Sequence, residues 1–217
     1  MREIRLVRLL LWSACWLVSG GATAPVAGAA AGEWIRVREV DGVEVYRQPV
    51  EGSDIPAGRG RTQYRSPVGA VFRVISDYDH FAGFIPSVSD SRVVERDDRA
   101  TWVYQRLGFP LPVADRHYII EVVNDLHVAG AGVVDVSWQL DRVRSASLSS
   151  SDALLPAAFS GSWHLEALAD HAGCEALYTI HVDPAGALPD WLFVRLTERY
   201  VVRVMNAVRK RIEVRRR

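Results

Sequence analysis

Cysteine is scarce in this chain of 217 residues: there are 2, Cys15 and Cys174. Lysine is scarcer, with Lys210 the only one among 26 basic residues, which reads as a coding bias more than as chemistry. Charge of one sign is not in excess either, since 26 acidic residues balance the basic ones, so nothing global points to nucleic acid. No HExxH or comparable histidine spacing is present, which argues against a metal site or any other bound cofactor. No G-x-S-x-G elbow and no phosphate loop occur, so the common nucleophilic and nucleotide-binding signatures are missing. There is no internal repeat and no low-complexity linker. A long apolar run is lacking too: "LLLWSACWLVSG" is about half of the ~20 residues that span a bilayer.

That run sits in an N-terminal segment with its own logic. "MREIRLVR" is a basic region, the apolar stretch follows, and "GATAPVAGAAAGE" supplies the small residues of a cleavage site. Residues 1–31 are read as a secretory signal cut near Ala29–Ala31, because Pro25 disfavours a cut after "ATA". A short uncleaved anchor, or a lipoprotein cut at Cys15, are the alternatives. The expected location is periplasmic or otherwise exported. Cleavage removes three arginines and one glutamate and leaves a slightly acidic mature chain. Cys174 then stands alone, so no intramolecular disulfide can form and the core must hold residues 32–217 as one domain.

Along the mature chain, "EWIRVREVDGVEVYRQPVEG" predicts two strands joined at Asp41–Gly42. "AGRGRTQYRS" predicts a third, polar enough to be partly exposed or at an edge. In "SPVGAVFRVISDYDHFAGFIPSV", Ser66 is the expected helix cap and Pro67 suits the first turn. Val68, Val71, Phe72 and Ile75 follow at helical spacing, then a second short helix ending before Pro86. Six strands are expected near residues 88–96, 101–107, 116–123, 132–141, 160–168 and 175–183. Val134, Val136, Trp138 and Leu140 share one face of their strand; Trp163 with Leu165, and Tyr178 with Ile180 and Val182, alternate in the same way. One dry face per strand implies an antiparallel sheet covered on one side. The cover is the last segment, whose stripe Leu192, Leu196, Tyr200/Val201, Val204/Met205, Val208 and Ile212 predicts a helix of roughly six turns, about 35 Å.

Trp138 and Trp163 therefore point toward a possible cavity, and Trp191 marks the start of the final helix, where an indole can gate or touch a membrane. "SASLSSSDALLPAAFSG" predicts a loop whose apolar part, Leu154, Leu155 and Phe159, marks a contact site. His164 and His181 are expected as solvated cross-strand partners. His117 and Glu121 fall on a strand's outer face, and the tail "RKRIEVRRR" reads as a solvated helix end.

Four stretches carry a family resemblance: "SPVGAVFRVISDYDHFAGFIPSVSDSRVVE", "FPLPVADRHYIIEV", "FSGSWHLEAL" and "IHVDPAGALPDWLFVRLTERYV". Together, in this order, they resemble the START (steroidogenic-acute-regulatory-related lipid transfer) domain, within the helix-grip superfamily that includes polyketide cyclases. The resemblance implies an α+β helix-grip fold: a curved antiparallel sheet wrapped around a long C-terminal helix, enclosing a hydrophobic cavity. It implies one bound lipid or sterol-like molecule, transferred without chemistry, with transient membrane contact at the apolar loop. It also implies that Arg116, which shares its strand face with Tyr118, Ile120 and Val122, turns into the cavity as a polar anchor. No carboxylate lies near Tyr104–Gln105 on the preceding strand, so Asp77, Asp79, water or an anionic ligand must balance it; the alternative is that Arg116 simply pairs at the exposed strand end with Asp115 or a neighbour. The expected ligand-binding set is Arg116, Tyr118, Ile120, Tyr104, Trp138, Trp163, Tyr178, Leu196 and Tyr200, with Leu154, Leu155, Phe159 and Trp191 at the gate. A monomer without nucleic acid is expected. The alternative is a cyclase or aromatase using Arg116, Tyr104 and Tyr118 as donors to an enolate. Sterol, hopanoid, fatty acid and phospholipid all remain open as ligands.

Overall fold

The alternation of apolar and polar residues builds one ten-stranded sheet in the structure, a computed structural model. It describes residues 32–109, 113–126, 132–148, 153–169, 171–185 and 190–215, with backbone only at 190–192. The leader-like residues 1–31 and the side chain of Trp191 lie outside the described residues. The strands are β1 (Ile35–Val40), β2 (Val43–Val50), β3 (Ser53–Tyr64), β4 (Val88–Arg96), β5 (Thr101–Leu107), β6 (Asp115–Asp125), β7 (Val133–Leu140), β8 (Ala153–Leu154), β9 (Ala158–Ala167) and β10 (Cys174–Asp183). The helices are α1 (Val68–Ile75), α2 (Arg142–Ala146) and α3 (Asp190–Arg215), and Tyr78–Gly83 forms a 3-10 turn after α1. The sheet order is β1-β2-β3-β10-β9-β7-β6-β5-β4, with β8 set parallel against the start of β6. This is the expected curved sheet around a long terminal helix.

The Asp41–Gly42 hairpin forms as predicted, both residues having positive φ (52° and 71°). Two local expectations change. β3 is no edge: it lies between β2 and β10, and the edges are β1 and β4. The other half of that expectation holds, since the strand is partly exposed: its outer-face arginines pair at the surface, Arg61 with Glu175 at 2.7 Å and Arg59 with Thr179 at 2.9 Å. Ser66 does not cap α1; Pro67 occupies that position without a side-chain hydrogen bond, and Ser66 is buried.

The helix α3 rests on β3, β2 and α1. Its buried face runs Phe193, Thr197, Val201, Val204, Met205, Val208 and Ile212. Close approach is possible because β3 offers no side chain at Gly60: a Cβ there would lie 2.3 Å from Met205 Sδ and 2.6 Å from Val201 Cγ1. Tyr64 of β3 donates its hydroxyl to the Met205 carbonyl at 2.9 Å. Arg209 donates to Thr62 Oγ1 at 2.8 Å, and Arg211 and Arg215 both pair with Asp77 after α1. The basic tail is thus tied to the fold rather than merely solvated. Cys174 is buried on β10, and burial pushes its thiol up to about 11.

The outer face is covered locally, against the expectation of one dry side. Trp102, Tyr104 and Ile119 form a second small cluster with Ala100 and Leu148, beside α2. Arg144 lies over Trp102 at 4.1 Å and Arg92 over Tyr104 at 4.0 Å. His117 is buried here, edge-on to Tyr104. His164 meets Asp135 at 2.7 Å. His181 is no solvated partner: it is buried, and its Nε2 lies 3.1 Å from the Ile55 carbonyl, to which it donates.

Gly60→Val drives two methyls into α3 and lowers stability by about 1–3 kcal/mol, readable by urea denaturation with an unchanged slope. Burial lowers the His181 pKa below its ordinary value near 6.5. The unfolded chain therefore binds a proton first, so stability present above about pH 6.5 is lost as pH falls through the lower folded value. Unfolding midpoints between pH 7.5 and 5 should fall more steeply for the wild type than for His181→Gln.

Candidate functional site

Strand parity decides which side chains meet between the sheet and α3. From β6 come Ile120 and Val122, from β7 Val136 and Trp138, from β9 Phe159 and Trp163, and from β10 Tyr178. Gln105 of β5, Tyr200, Val204 and Val208 of α3, and Tyr78, Phe81 and Ile85 around the 3-10 turn complete most of the wall of a cavity. Tyr178 sits between two tryptophans, its ring centroid 5.9 Å from Trp138 and 4.6 Å from Trp163. Trp138 can lie flat because Gly161 is opposite; a Cβ there would lie 2.3 Å from the indole Cζ2. Tyr118 stacks at 4.4 Å on Phe159 and donates to Gln105 Oε1 at 3.2 Å.

The cavity has room of about 50 Å³. That is the scale of one or a few waters, whereas sites for small organic ligands run to roughly 300–1,000 Å³. The space expected for a lipid is therefore present as a seam, not as an open tunnel. Burial raises the phenol groups of Tyr118, Tyr178 and Tyr200 far above their ordinary range, and a charge on Tyr200 would raise the other two further. These hydroxyls stay protonated and neutral. The Trp138 indole N–H and the Tyr78 hydroxyl are shielded and have no hydrogen-bond partner.

Arg116 departs most from expectation. It is 4% exposed, and burial lowers its pKa while the neighbouring Asp115 carboxylate opposes that shift; the hydrogen bonds of its guanidinium among the described residues go to backbone carbonyls. Nε donates to the Pro184 carbonyl at 2.5 Å, Nη2 to the Ala185 carbonyl at 2.8 Å, and Nη1 to the Ala114 carbonyl. It straps the segment leading from β10 to α3 onto the start of β6. Asp77 and Asp79 are used elsewhere, the first by Arg215, Arg211 and His80, the second by the Val93 backbone N–H at 2.7 Å. Asp115, next to Arg116, pairs with Arg106 at 2.8 Å.

The structure thus brings together Ile120, Trp138, Trp163, Tyr178 and Tyr200, with Tyr118 bonded to the Gln105 of the wall. It does not bring in Tyr104, which parity sends to the outer face while Val103 and Gln105 turn inward. Leu196 is 40% exposed, because the buried stripe passes through Phe193 and Thr197 instead. Phe159 is not on a loop: it belongs to β9 and lines the cavity. The expected apolar loop contains the end of α2 and the short β8, with Leu154 46% exposed and Leu155 half-buried against the core. Residues 149–152 of that loop lie outside the described residues. Sequence reading missed Gln105, Phe81, Ile85 and Val136 as wall residues. Val136 was legible from parity with Trp138, and Gln105 from its inward position two after Val103.

Replacing Arg116 tests the strap. Arg116→Met leaves the buried Pro184 carbonyl and the partly buried Ala185 and Ala114 carbonyls without that donor and should cost about 2–4 kcal/mol of stability, read by chemical denaturation. Affinity of the folded fraction for an apolar fluorophore should stay within about twofold, since the group is occupied by backbone; selective loss of affinity would restore the anchoring role.

Comparison with known proteins agrees with the fold. A family model described as polyketide cyclase / dehydrase and lipid transport matches residues 66–209. An uncharacterized protein of Pseudomonas aeruginosa is 25% identical over 183 residues, 81% of this chain and 85% of that one. The solved STAR-related lipid transfer protein of Xanthomonas axonopodis superposes with a TM-score of 0.73 at 24% identity, over 83% of this chain and 98% of that one. Human StAR-related lipid transfer protein 5 gives 0.75 at 14% identity, over 89% and 90%. The two structural likenesses show a shared START-type fold, and the sequence match assigns membership: the chain belongs to the polyketide cyclase/dehydrase and lipid transport family.

Proposed function

We propose that this protein binds one hydrophobic molecule between its sheet and α3 and carries it without chemical change. The observation that supports this is the seam itself, enclosed by uncharged, mostly apolar and aromatic side chains from six strands and helices. Burying an apolar guest there is worth about 25 cal/mol per Å² removed from water. Room for it comes from the 3-10 turn, whose Tyr78 and Phe81 roof one side of the seam. That turn is held on one flank by the Asp77 pairs with α3 and on the other by the Asp79 bond to β4. Partly exposed ion pairs of this kind contribute little, so lifting the cover is a small rearrangement beside the area a guest would bury.

The same reading includes export, supported by the leader-like residues 1–31, and contact with a membrane through exposed Leu154 and Leu196. Leu154 stands where Arg116 joins β6, β8 and the lead-in to α3. The alternative, a cyclase, required Arg116, Tyr104 and Tyr118 to act on one substrate. Of these only Tyr118 adjoins the cavity wall, which favours carriage over catalysis.

Native mass spectrometry of protein purified from its own envelope should show one lipid-sized mass that organic extraction removes. Ile120→Phe, which fills the seam, should lower affinity for an apolar fluorophore at least tenfold with a stability change of about 1–3 kcal/mol. Absence of any adduct, together with fluorophore binding that Ile120→Phe leaves unchanged, would remove the proposal.

A further inference from the structure

The polar chemistry of the cavity wall is one-sided. Among the described residues, no lining side chain carries a carboxylate, an imidazole, an ammonium or a guanidinium. The wall offers instead the indoles of Trp138 and Trp163, the amide of Gln105 and the hydroxyls of Tyr78, Tyr178 and Tyr200. Tyr118 already donates to the Gln105 amide oxygen, which leaves the amide N–H groups as that residue's further contribution. The nearest arginine along β6, Arg116, is engaged by backbone carbonyls.

An ionised head group in this space would have no counter-charge, and moving it from water would cost several kcal/mol. A purely hydrocarbon guest meets a different objection. The Trp138 N–H can only donate, and it is shielded from water without a partner. A hydrocarbon would leave it so. Its direction is preset, because the ring is fixed between Gly161 and Tyr178. A neutral oxygen that only accepts is the group that completes this wall.

Resting on the cavity-binding reading, we infer that the guest is a neutral lipid whose polar end is a carbonyl oxygen, an ester or a ketone, received by the indole N–H of Trp138. Charged fatty acids and phosphate-bearing head groups are excluded from the seam.

The test uses three probes of equal carbon number, a methyl ketone, an alkane and a fatty carboxylate, measured by equilibrium dialysis against the mature protein. The ketone should bind about fivefold more tightly than the alkane, and the carboxylate more weakly than either. Trp138→Phe keeps a ring and deletes the donor; whatever the smaller ring does to apolar binding common to both probes, it should abolish the ketone's advantage over the alkane. If that variant does not fold, the wild-type indole N–H resonance gives the same information, moving downfield with the ketone and not with the alkane. A carboxylate that binds as tightly as the ketone, an equal loss for ketone and alkane in the variant, or an unmoved indole resonance overturns the inference while cavity binding stands. Failure of all three probes to bind overturns the cavity reading and this inference with it.

Discussion

How near α3 can come to β3 governs the interior. A helix backbone can settle against a strand only where side chains are absent or small, and Gly58 and Gly60 provide that place. Val201 and Met205 fill it, and Tyr64 and Arg209 fasten the same contact with hydrogen bonds. Because the helix is drawn to the β2–β3 side, it does not pack evenly over the rest of the sheet. The strands β5, β6, β7 and β9 are roofed on that account by the side chains of the 3-10 turn and by Tyr200, Val204 and Val208. The seam is the remainder of an asymmetric seating, not a defect in packing.

The other constraint is the connection from β10 to α3. A chain leaving a sheet edgewise to start a helix exposes carbonyls that no ladder or helix can satisfy. A guanidinium carries five donors in a planar fork, and Arg116 spends its own on two such carbonyls, those of Pro184 and Ala185, and on the Ala114 carbonyl just before β6. This explains a charge at the start of an otherwise apolar strand without any ligand. It also explains why the cavity can be free of charge: the one buried cation nearby is neutralised in effect by backbone dipoles.

Most of the architecture was legible because it is written in period. Alternation on β7, β9 and β10 placed Trp138, Trp163 and Tyr178 on one face, and the structure stacks these three rings. Asp41–Gly42 specified a hairpin through turn chemistry alone. What was not legible depends on distance between elements. Parity could say that Arg116 faces inward, but not that the Pro184 carbonyl would be there to meet it. Helical spacing allowed Leu196 to belong to the buried stripe, and the rotation of α3 set by Gly60 chose Phe193 and Thr197 instead. Tyr104 was assigned by analogy rather than by its strand, and its strand sends it outward, under Arg92. The size of the cavity was beyond sequence altogether, since it depends on rotamers.

Cys174 shows what such packing does to reactivity. It is buried at the first position of β10, in register with Tyr64 and Ala167, and burial keeps it in the unreactive thiol form. Among the described residues the folded molecule therefore presents no thiol to oxidants or to another copy. Cys174 is displayed only when the chain around it comes apart, so its alkylation marks each excursion from the native state.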